Sequence, residues 1–599
     1  MRQNTTFLPT TPEELGGERP DVILVCGDTY LDSPYNGTAL LGRLLESAGY
    51  KTAIIAQPDI NNEEIARLGE PKLFWGVSGG CVDSMVANYT ASKKPRKSDD
   101  FTPGGENTRR PDRAVITYTN LIRRNFKNTA PIVAGGIEAS LRRVTHYDFW
   151  SDTLRKSVLF DSKADYLIYG MGEKTILELA KALKDGKDTS TIRGLCYISK
   201  DIPAGFLELP SHEDCLKDKK KFIQMFHTFY KNNDPITAKG LAQKQDTRYL
   251  IQNPPSDTPD RVELNSYYEL PYTYKVHPFY AKDGQVKAID TVRNSVTTHR
   301  GCYGECSFCA IAVHQGTTIS ERTEHSVVKE VERYASMENF NGIINDVGGP
   351  TANMYGMECK KKKQHGRCPE KRCLFPAKCD QMPADHRKVS SLLAAVRNIR
   401  GVRRVFIASG IRYDMIMDDT KFGGQYLENL VKYHVSGQLK IAPEHTEDRV
   451  LNLMGKPSSG VLKKFVEAFN KENKKQNKRQ YLTYYLIAAH PGCSLGDMEK
   501  LKNFTSKELK INPEQVQIFT PLPSTYSALM YYTETDPFTG EHIYVEKETS
   551  KKIRQKAMVT SKEFHKPAPK KKTGSQKPKP QSSKKCATGK CALVRKKKK

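Results

Sequence analysis

The sequence predicts an α/β protein in two parts, an N-terminal Rossmann-like domain followed by a partial β/α barrel, and three observations carry that prediction. From Asp21 the run DVILVCGD, and then TALLGRLLESAGYKTAII, give strand, helix and strand within about 35 residues, the pattern of a parallel α/β unit. A second alternation of strand-like and helical runs begins near Asp290. After about Ser550 the periodicity stops.

Taken in order, the first alternation continues through AVITYTNLIRRNF, PIVAGGIEAS and ADYLIYGMGEKTILELAKAL, so residues 1–200 are expected to form the doubly wound domain. Residues 201–288 are more polar, with KDKKKF and the Pro-rich NPPSDTPD, and read as an excursion and linker with helices. Residues 289–545 offer the strand-like runs TVRNSVTTH, GIINDVG, RVFIAS, QLKIAPE, YLTYYLIAAH and VQIFTPLP, separated by helical patterns such as EHSVVKEVERYASM and GVLKKFVEAFN. Six strands with intervening helices suggest a complete or partial barrel, interrupted by a Cys-rich insertion over 359–379. Residues 546–599, with KPAPKKKTGSQKPKPQSSKK, are expected to be a disordered basic tail.

The chain has 599 residues and a net charge of +27, which points to an anionic partner such as nucleic acid. Most of that charge is local. From Lys551 onward 19 Lys or Arg face one acid, Glu563, so the tail holds +18 and the first 550 residues +9. The tail therefore suggests electrostatic tethering to RNA, DNA or ribosomes without base recognition, since Phe564 is its sole aromatic. No apolar run reaches the roughly 18 residues of a membrane helix. The start lacks the basic-then-apolar pattern of a secretory signal, so a cytoplasmic location with no membrane contact is expected. In that setting the 14 cysteines read as thiols or metal ligands.

Seven of the 14 lie between Cys302 and Cys379. RGCYGECSFC places Cys302, Cys306 and Cys309 at C-x3-C-x2-C. Three thiolates from one loop can share one face of a [4Fe–4S] cluster and leave its fourth iron open, whereas structural zinc and most ferredoxin clusters close with four ligands. Three buried thiols or a partial zinc site is the plainer reading of the same residues. The motif resembles the cluster loop of radical S-adenosylmethionine (radical SAM) enzymes, with Phe308 as the aromatic before the last cysteine. SVTTHRGCYGECSFCAIAVHQGTTISERTEHSVVKEV, GGIEASLRRVTHYDFWSD and YGMGEKT resemble segments of YgiQ-type radical SAM proteins, and the likeness spans about residues 15–545. The resemblance implies a [4Fe–4S] cluster on Cys302, Cys306 and Cys309, S-adenosylmethionine (SAM) on its open iron, and an electron donor such as flavodoxin or ferredoxin.

It also implies where SAM is held. Gly348 and Gly349, in NDVGGPTANMYG, stand where the family places a Gly-rich turn, although Pro350 replaces the usual Glu; an ordinary strand-to-helix turn is the other reading. Later strand ends supply Ser409, Arg412 and Asp414, then Glu444 and His445, then His490. In barrels such positions face the active site. Ser409, Arg412 and Glu444 are the candidate SAM contacts, with Arg412 opposite a carboxylate and Glu444 accepting from ribose or amino groups.

The N-terminal domain resembles the cobalamin-binding domain of many radical SAM enzymes. Its loop CGDTYLDSPYNG lacks the ligating histidine of that family, so cobalamin is not expected and the domain reads as a scaffold or a substrate platform. Gly135, Gly136, Gly170 and Gly172 are turn glycines without a G-x-G-x-x-G. Cys359, Cys368, Cys373 and Cys379, spaced C-x8-C-x4-C-x5-C in a Lys-rich loop, point to a second metal site, as zinc or an auxiliary cluster, or to redox-active or unliganded thiols. The expected function is reductive cleavage of SAM to start hydrogen abstraction from a substrate, with RNA or protein modification as the context. The alternative is an iron–sulfur protein that binds nucleic acid or senses redox state without SAM chemistry.

Overall fold

The strand Val22–Cys26 is a run of five buried residues, VILVC. With only apolar side chains to offer on both faces, it lies inside a sheet rather than at an edge. In the computed structural model, which describes residues 6–560, it is the second strand of a nine-stranded sheet. Edge to edge the order is Thr52–Ala56, Val22–Cys26, Phe74–Ser78, Ile132–Gly135, Tyr166–Ile168, Leu195–Ser199, Arg248–Gln252, Leu241–Gln245 and Leu207–Leu209. The first five are parallel. The helix Gly37–Ser47 makes the first crossover: Asn36 caps it by accepting from the amides of Thr38 and Ala39, and Gly49, at φ +86°, follows its end. Because the chain passes from the second position of the sheet outward to the edge and then back across, the order reverses beside Val22–Cys26. Such a reversal opens a crevice beyond the carboxyl ends of the strands.

The sheet corrects the expectation for residues 201–288. Leu207–Leu209, Leu241–Gln245 and Arg248–Gln252 all belong to it, and Arg248–Gln252 pairs antiparallel with Leu195–Ser199. That segment is thus an extension of the sheet as well as a connection with helices.

The second half has a strand in each of the six places expected. Ser295–Thr297 pairs parallel with Asp346–Gly348. Ile343–Ile344 pairs with Arg404–Val405. A single bridge joins Ile411 to Ile441. Gln438–Glu444, Tyr481–Ala488 and Gln517–Ile518 then follow in parallel. The first strand is shorter than TVRNSVTTH suggests, because Ala288–Val292 is helical.

The described residues form one compact unit. One core cluster packs Tyr526, Leu529, Met530 and Tyr531 with the N-terminal sheet, and Ser524 Oγ donates to the carbonyl of Leu141 at 2.8 Å. The expectation of disorder from residue 546 fails over its first part. Thr549–Thr560 is a helix with Lys552, Gln555 and Val559 buried. Gln555 accepts from the amide of Ala489 at 2.9 Å and donates to the carbonyl of Cys493 at 3.1 Å. The basic run beyond it, with Cys586, Cys591 and the tether to RNA, lies outside the described residues. No helix among the described residues is long and apolar enough to cross a membrane.

Candidate functional site

The loop of the three cysteines runs from the short hairpin strand His299–Arg300 to the helix Ile311–Gln315. Gly301, at φ +85°, makes the turn into it; an added Cβ would lie 2.2 Å from the carbonyl oxygen of Thr318. The Cys302 amide donates to the carbonyl of Gly316 at 3.1 Å and the Ser307 amide to that of Met454 at 2.9 Å. Burial pushes the Cys302 thiol up, as does the neighbouring Cys306, while Arg412 pulls it down. Cys309 is pushed up to about 12, first by burial and then by Cys306 and Cys302. A loop that holds three thiols, two of them pushed up by burial and by their neighbours, would gain from a positive cluster that takes up their negative charge. The donor set therefore fits three ligands of a [4Fe–4S] cluster with one iron left to a cofactor.

Arg412 stands over this loop. It is buried, pairs with Asp414 at 2.6 Å, and places Nη1 at 3.9 Å from Cys306 Sγ. Glu444 ends its strand at φ +67°, a costly conformation for a residue with a side chain. Burial pushes its carboxyl up, against Lys456, 3.9 Å away, and Arg412. Thr351 Oγ1 lies 3.8 Å from Cys302 Sγ. Lys456 and Thr351 were not singled out from the sequence; neither sits in a spacing motif, and only the folded chain brings them here. His445 and His490 are fully buried and bonded within the protein, His490 Nε2 to Ser527 Oγ at 2.7 Å and His445 Nδ1 to the Glu447 amide at 3.0 Å. They are structural.

Gly348, Gly349 and Ser409 line a cavity of about 530 Å³, whereas Arg412, Glu444 and the three cysteines do not. Ser409 is held by a hydrogen bond to Asp346. A Cβ at Gly349 would lie 2.7 Å from the His299 ring, and one at Gly348 would lie 3.0 Å from Ser409 Oγ. Close packing of the protein on itself thus requires Gly349, while a side chain at 348 would press on Ser409. The cavity lies in the crevice of the N-terminal sheet: Asp28, Ser78, Gly135, Gly136, Gly170 and Gly172 form one wall. The second half of the chain forms the other wall with Thr297, His299 and Asp346, and His314 and Gln315 come from the helix that follows Cys309. Burial pushes His299 and His314 down to about 4, so both imidazoles are neutral near pH 7.

The second cysteine group divides. Cys359 is buried in a small core with Tyr303, Met354, Met357, Leu374, Met382 and Met415, against which Cys302, Cys373 and Cys379 also pack; Cys368 is exposed. Core packing thus takes in three of the four. Among the described residues no three or more Cys, His, Asp or Glu side chains are drawn in tightly enough to grip a single metal ion.

Comparison with known proteins places the chain. A family profile described as Radical SAM N-terminal matches residues 7–295. A UPF0313 protein of Fusobacterium nucleatum subsp. nucleatum is 58% identical over 561 residues, covering 93% of this chain and 99% of that relative. A UPF0313 protein of Thermotoga maritima is 48% identical over 559 residues, covering 92% and 97%. Among solved structures, the radical SAM methyltransferase TsrM of Kitasatospora setae, with cobalamin and a [4Fe–4S] cluster bound, has a TM-score of 0.48 at 15% identity and covers 86% of this chain and 78% of that one. The cobalamin-dependent radical enzyme OxsB, with aqua-cobalamin and SAM bound, has a TM-score of 0.48 at 13% identity and covers 87% and 55%. Likeness at this level assigns no cofactor to the chain, and it lends no support to the expectation that cobalamin is absent. The profile and the relatives make the protein a radical SAM enzyme, a class that works with a [4Fe–4S] cluster and SAM. The chain belongs to the UPF0313 family.

Proposed function

We propose that this enzyme cleaves SAM reductively at a cluster held by Cys302, Cys306 and Cys309, and acts on a substrate held in the cavity between the N-terminal sheet and the barrel. When bound, the cluster supplies one electron that splits the sulfonium of SAM and yields the 5′-deoxyadenosyl radical, which abstracts hydrogen. The observation that carries the reading is a loop that spaces three cysteines C-x3-C-x2-C beneath Arg412, whose Nη1 is 3.9 Å from Cys306 Sγ.

The chain's own residues do the rest. Arg412 offsets the thiolate charge and is itself fixed by Asp414. Glu444, at the end of its strand, presents a buried carboxyl able to accept from an amino group or a ribose hydroxyl. The facing strand ends enclose the substrate and exclude water, which protects a carbon radical from side reactions. Neutral His299 and His314 offer hydrogen bonds in the cavity without adding charge.

The test is release of 5′-deoxyadenosine from SAM by the reconstituted protein under strong reductant. Wild type is expected to release it and Cys306→Ala to release none. A wild-type protein that releases none yet binds RNA tightly overturns the reading in favour of a nucleic-acid-binding iron–sulfur protein. Iron and zinc per chain address the insertion: more than one cluster's worth of iron, or zinc, is expected only if Cys359, Cys373 and Cys379 also hold a metal. The substrate is sought by comparing RNA and protein modifications between wild-type and deletion strains.

A further inference from the structure

Asn353 lies fully buried in the turn that follows the strand Asp346–Gly348. Its Oδ1 accepts from the Arg412 amide at 2.8 Å, and its Nδ2 donates to the Arg412 carbonyl at 3.0 Å. One side chain thus grips both polar main-chain groups of a single residue, as a neighbouring strand would. The same turn brings Thr351 Oγ1 to 3.8 Å from Cys302 Sγ, while Arg412 Nη1 lies 3.9 Å from Cys306 Sγ. Asp414 fixes the guanidinium, and Asn353 fixes the backbone from which it hangs.

Hydrogen-bond chemistry settles where the protons sit behind this grip. A main-chain N–H only donates and a carbonyl only accepts, so Asn353 has one orientation. Its Nδ2 then offers its second proton to His386 Nε2, 3.2 Å away. That nitrogen accepts, so the imidazole is neutral and carries its proton on Nδ1, which donates to Asp419 Oδ2 at 2.8 Å. Burial pulls His386 below the ordinary histidine range, in keeping with a neutral ring. Asp419 is held in turn by the amides of His386 and Phe422, both at 2.9 Å. The Tyr426 ring stacks on the imidazole with centroids 4.6 Å apart. Arg412 opens the helix Tyr413–Asp418 and Asp419 follows its end, so the chain of bonds ties both ends of that helix to the turn.

We infer that Asp419, His386 and Asn353 are positioning residues that hold the Arg412 guanidinium against Cys306, and through it set the reduction potential of the cluster. The inference rests on the function argued above and adds what tunes its electron step. A cation beside a ligating sulfur favours the reduced, more negative cluster. At an effective dielectric constant of about 20, retreat of a unit charge from about 4 to about 6 Å is worth about tenfold in the reduction equilibrium, or about 59 mV for one electron.

The test is a redox titration of the full-length, reconstituted chain without SAM, followed by electron paramagnetic resonance. Dithionite gives up the electron and the cluster takes it up, with no bond or proton moved. Asn353→Ala and His386→Leu are each expected to shift the equilibrium about tenfold toward the oxidised cluster. His386→Gln, which keeps an acceptor for Asn353, is expected to stay within about threefold of wild type. In Arg412→Met chains that retain a cluster, adding Asn353→Ala is expected to change the equilibrium less than about twofold, because the residue acts through Arg412. An unchanged potential in both single variants overturns the inference, and so does an equal shift with and without Arg412. Hydrogen exchange of the wild-type apoprotein needs neither cluster nor variant: the Arg412 amide is expected to exchange slowly, and fast exchange there overturns the inference even if no variant folds. A wild-type chain that shows this protection but takes up no cluster overturns the radical reading itself, and its iron content is measured first.

Discussion

A methyl group at position 304 would lie 2.9 Å from Arg412 Nη1 and 3.3 Å from Cys302 Sγ. The glycine lets the guanidinium approach the thiols, so Gly304→Ala is expected to lower iron and sulfide retained per chain after reconstitution. Apoprotein unfolding should change far less, since the crowding falls on the site. Arg412 itself is one half of a buried ion pair. Arg412→Met leaves the Asp414 carboxylate buried without its partner, which is expected to cost about 3–5 kcal/mol. Adding Asp414→Asn should restore most of the lost stability but none of the lost cluster, because the cation facing Cys306 is still missing. Denaturant unfolding and iron content of the single and double variants check this together.

At the scale of elements, the helix Thr549–Thr560 behaves as a clasp on the second half of the chain. Removing it exposes the Ala489 amide and the Cys493 carbonyl that Gln555 satisfies. A chain ending at residue 548 is expected to lose about 0.5–1.5 kcal/mol for each of these hydrogen bonds, besides the burial of Val559, read as a lower unfolding midpoint. The same helix carries a pH signature. Burial first, then Lys93, pulls Lys552 down to about 8 from the ordinary lysine range near 10.5. Between those values the unfolded chain binds more protons, so stability rises with pH there and the penalty is fully present below about pH 8. Lys552→Met is therefore expected to raise the melting temperature at pH 7, less the lost bond to Tyr531 at 2.7 Å, and the gain should shrink as pH climbs above 8.

That helix also shows why part of the fold was hidden in the sequence. Its inward positions are Lys552, Gln555 and Val559, so the apolar rhythm that marks other helices is absent. The strands Leu241–Gln245 and Arg248–Gln252 conceal themselves in the same way. Gln243 and Gln245 are buried and accept from the amides of Thr145 and Ser157, both at 2.9 Å, and Gln252 accepts from Arg143 at 3.1 Å. Buried amides paid back by hydrogen bonds read as surface residues in a hydropathy pattern. The triad, by contrast, was legible because its spacing is contained in one loop. Gly348, Gly349 and Ser409 could be found as strand-end residues, but the sequence held nothing to say that they line one cavity with the N-terminal sheet.

At the scale of the whole molecule, strand ends from both halves meet at one cavity lined by Asp28, Ile137, Thr297 and His314. Filling it separates radical generation from use. Ile137→Trp is expected to leave the uncoupled release of deoxyadenosine near the wild-type rate. The same variant should fail to restore, in a deletion strain, whatever modification the wild-type gene restores. Equal loss of both activities would place the substrate outside the cavity. The meeting of the two halves has a consequence for how such proteins diverge. In the proposed function the reagent is made by residues after 299, while one wall of the cavity assigned to the substrate is supplied by residues before 177. Substitutions in that earlier wall can redirect the enzyme to a new molecule without touching the thiol loop. Relatives that share the chemistry can therefore differ in what they act upon, and kinship along this chain identifies the tool more surely than the workpiece.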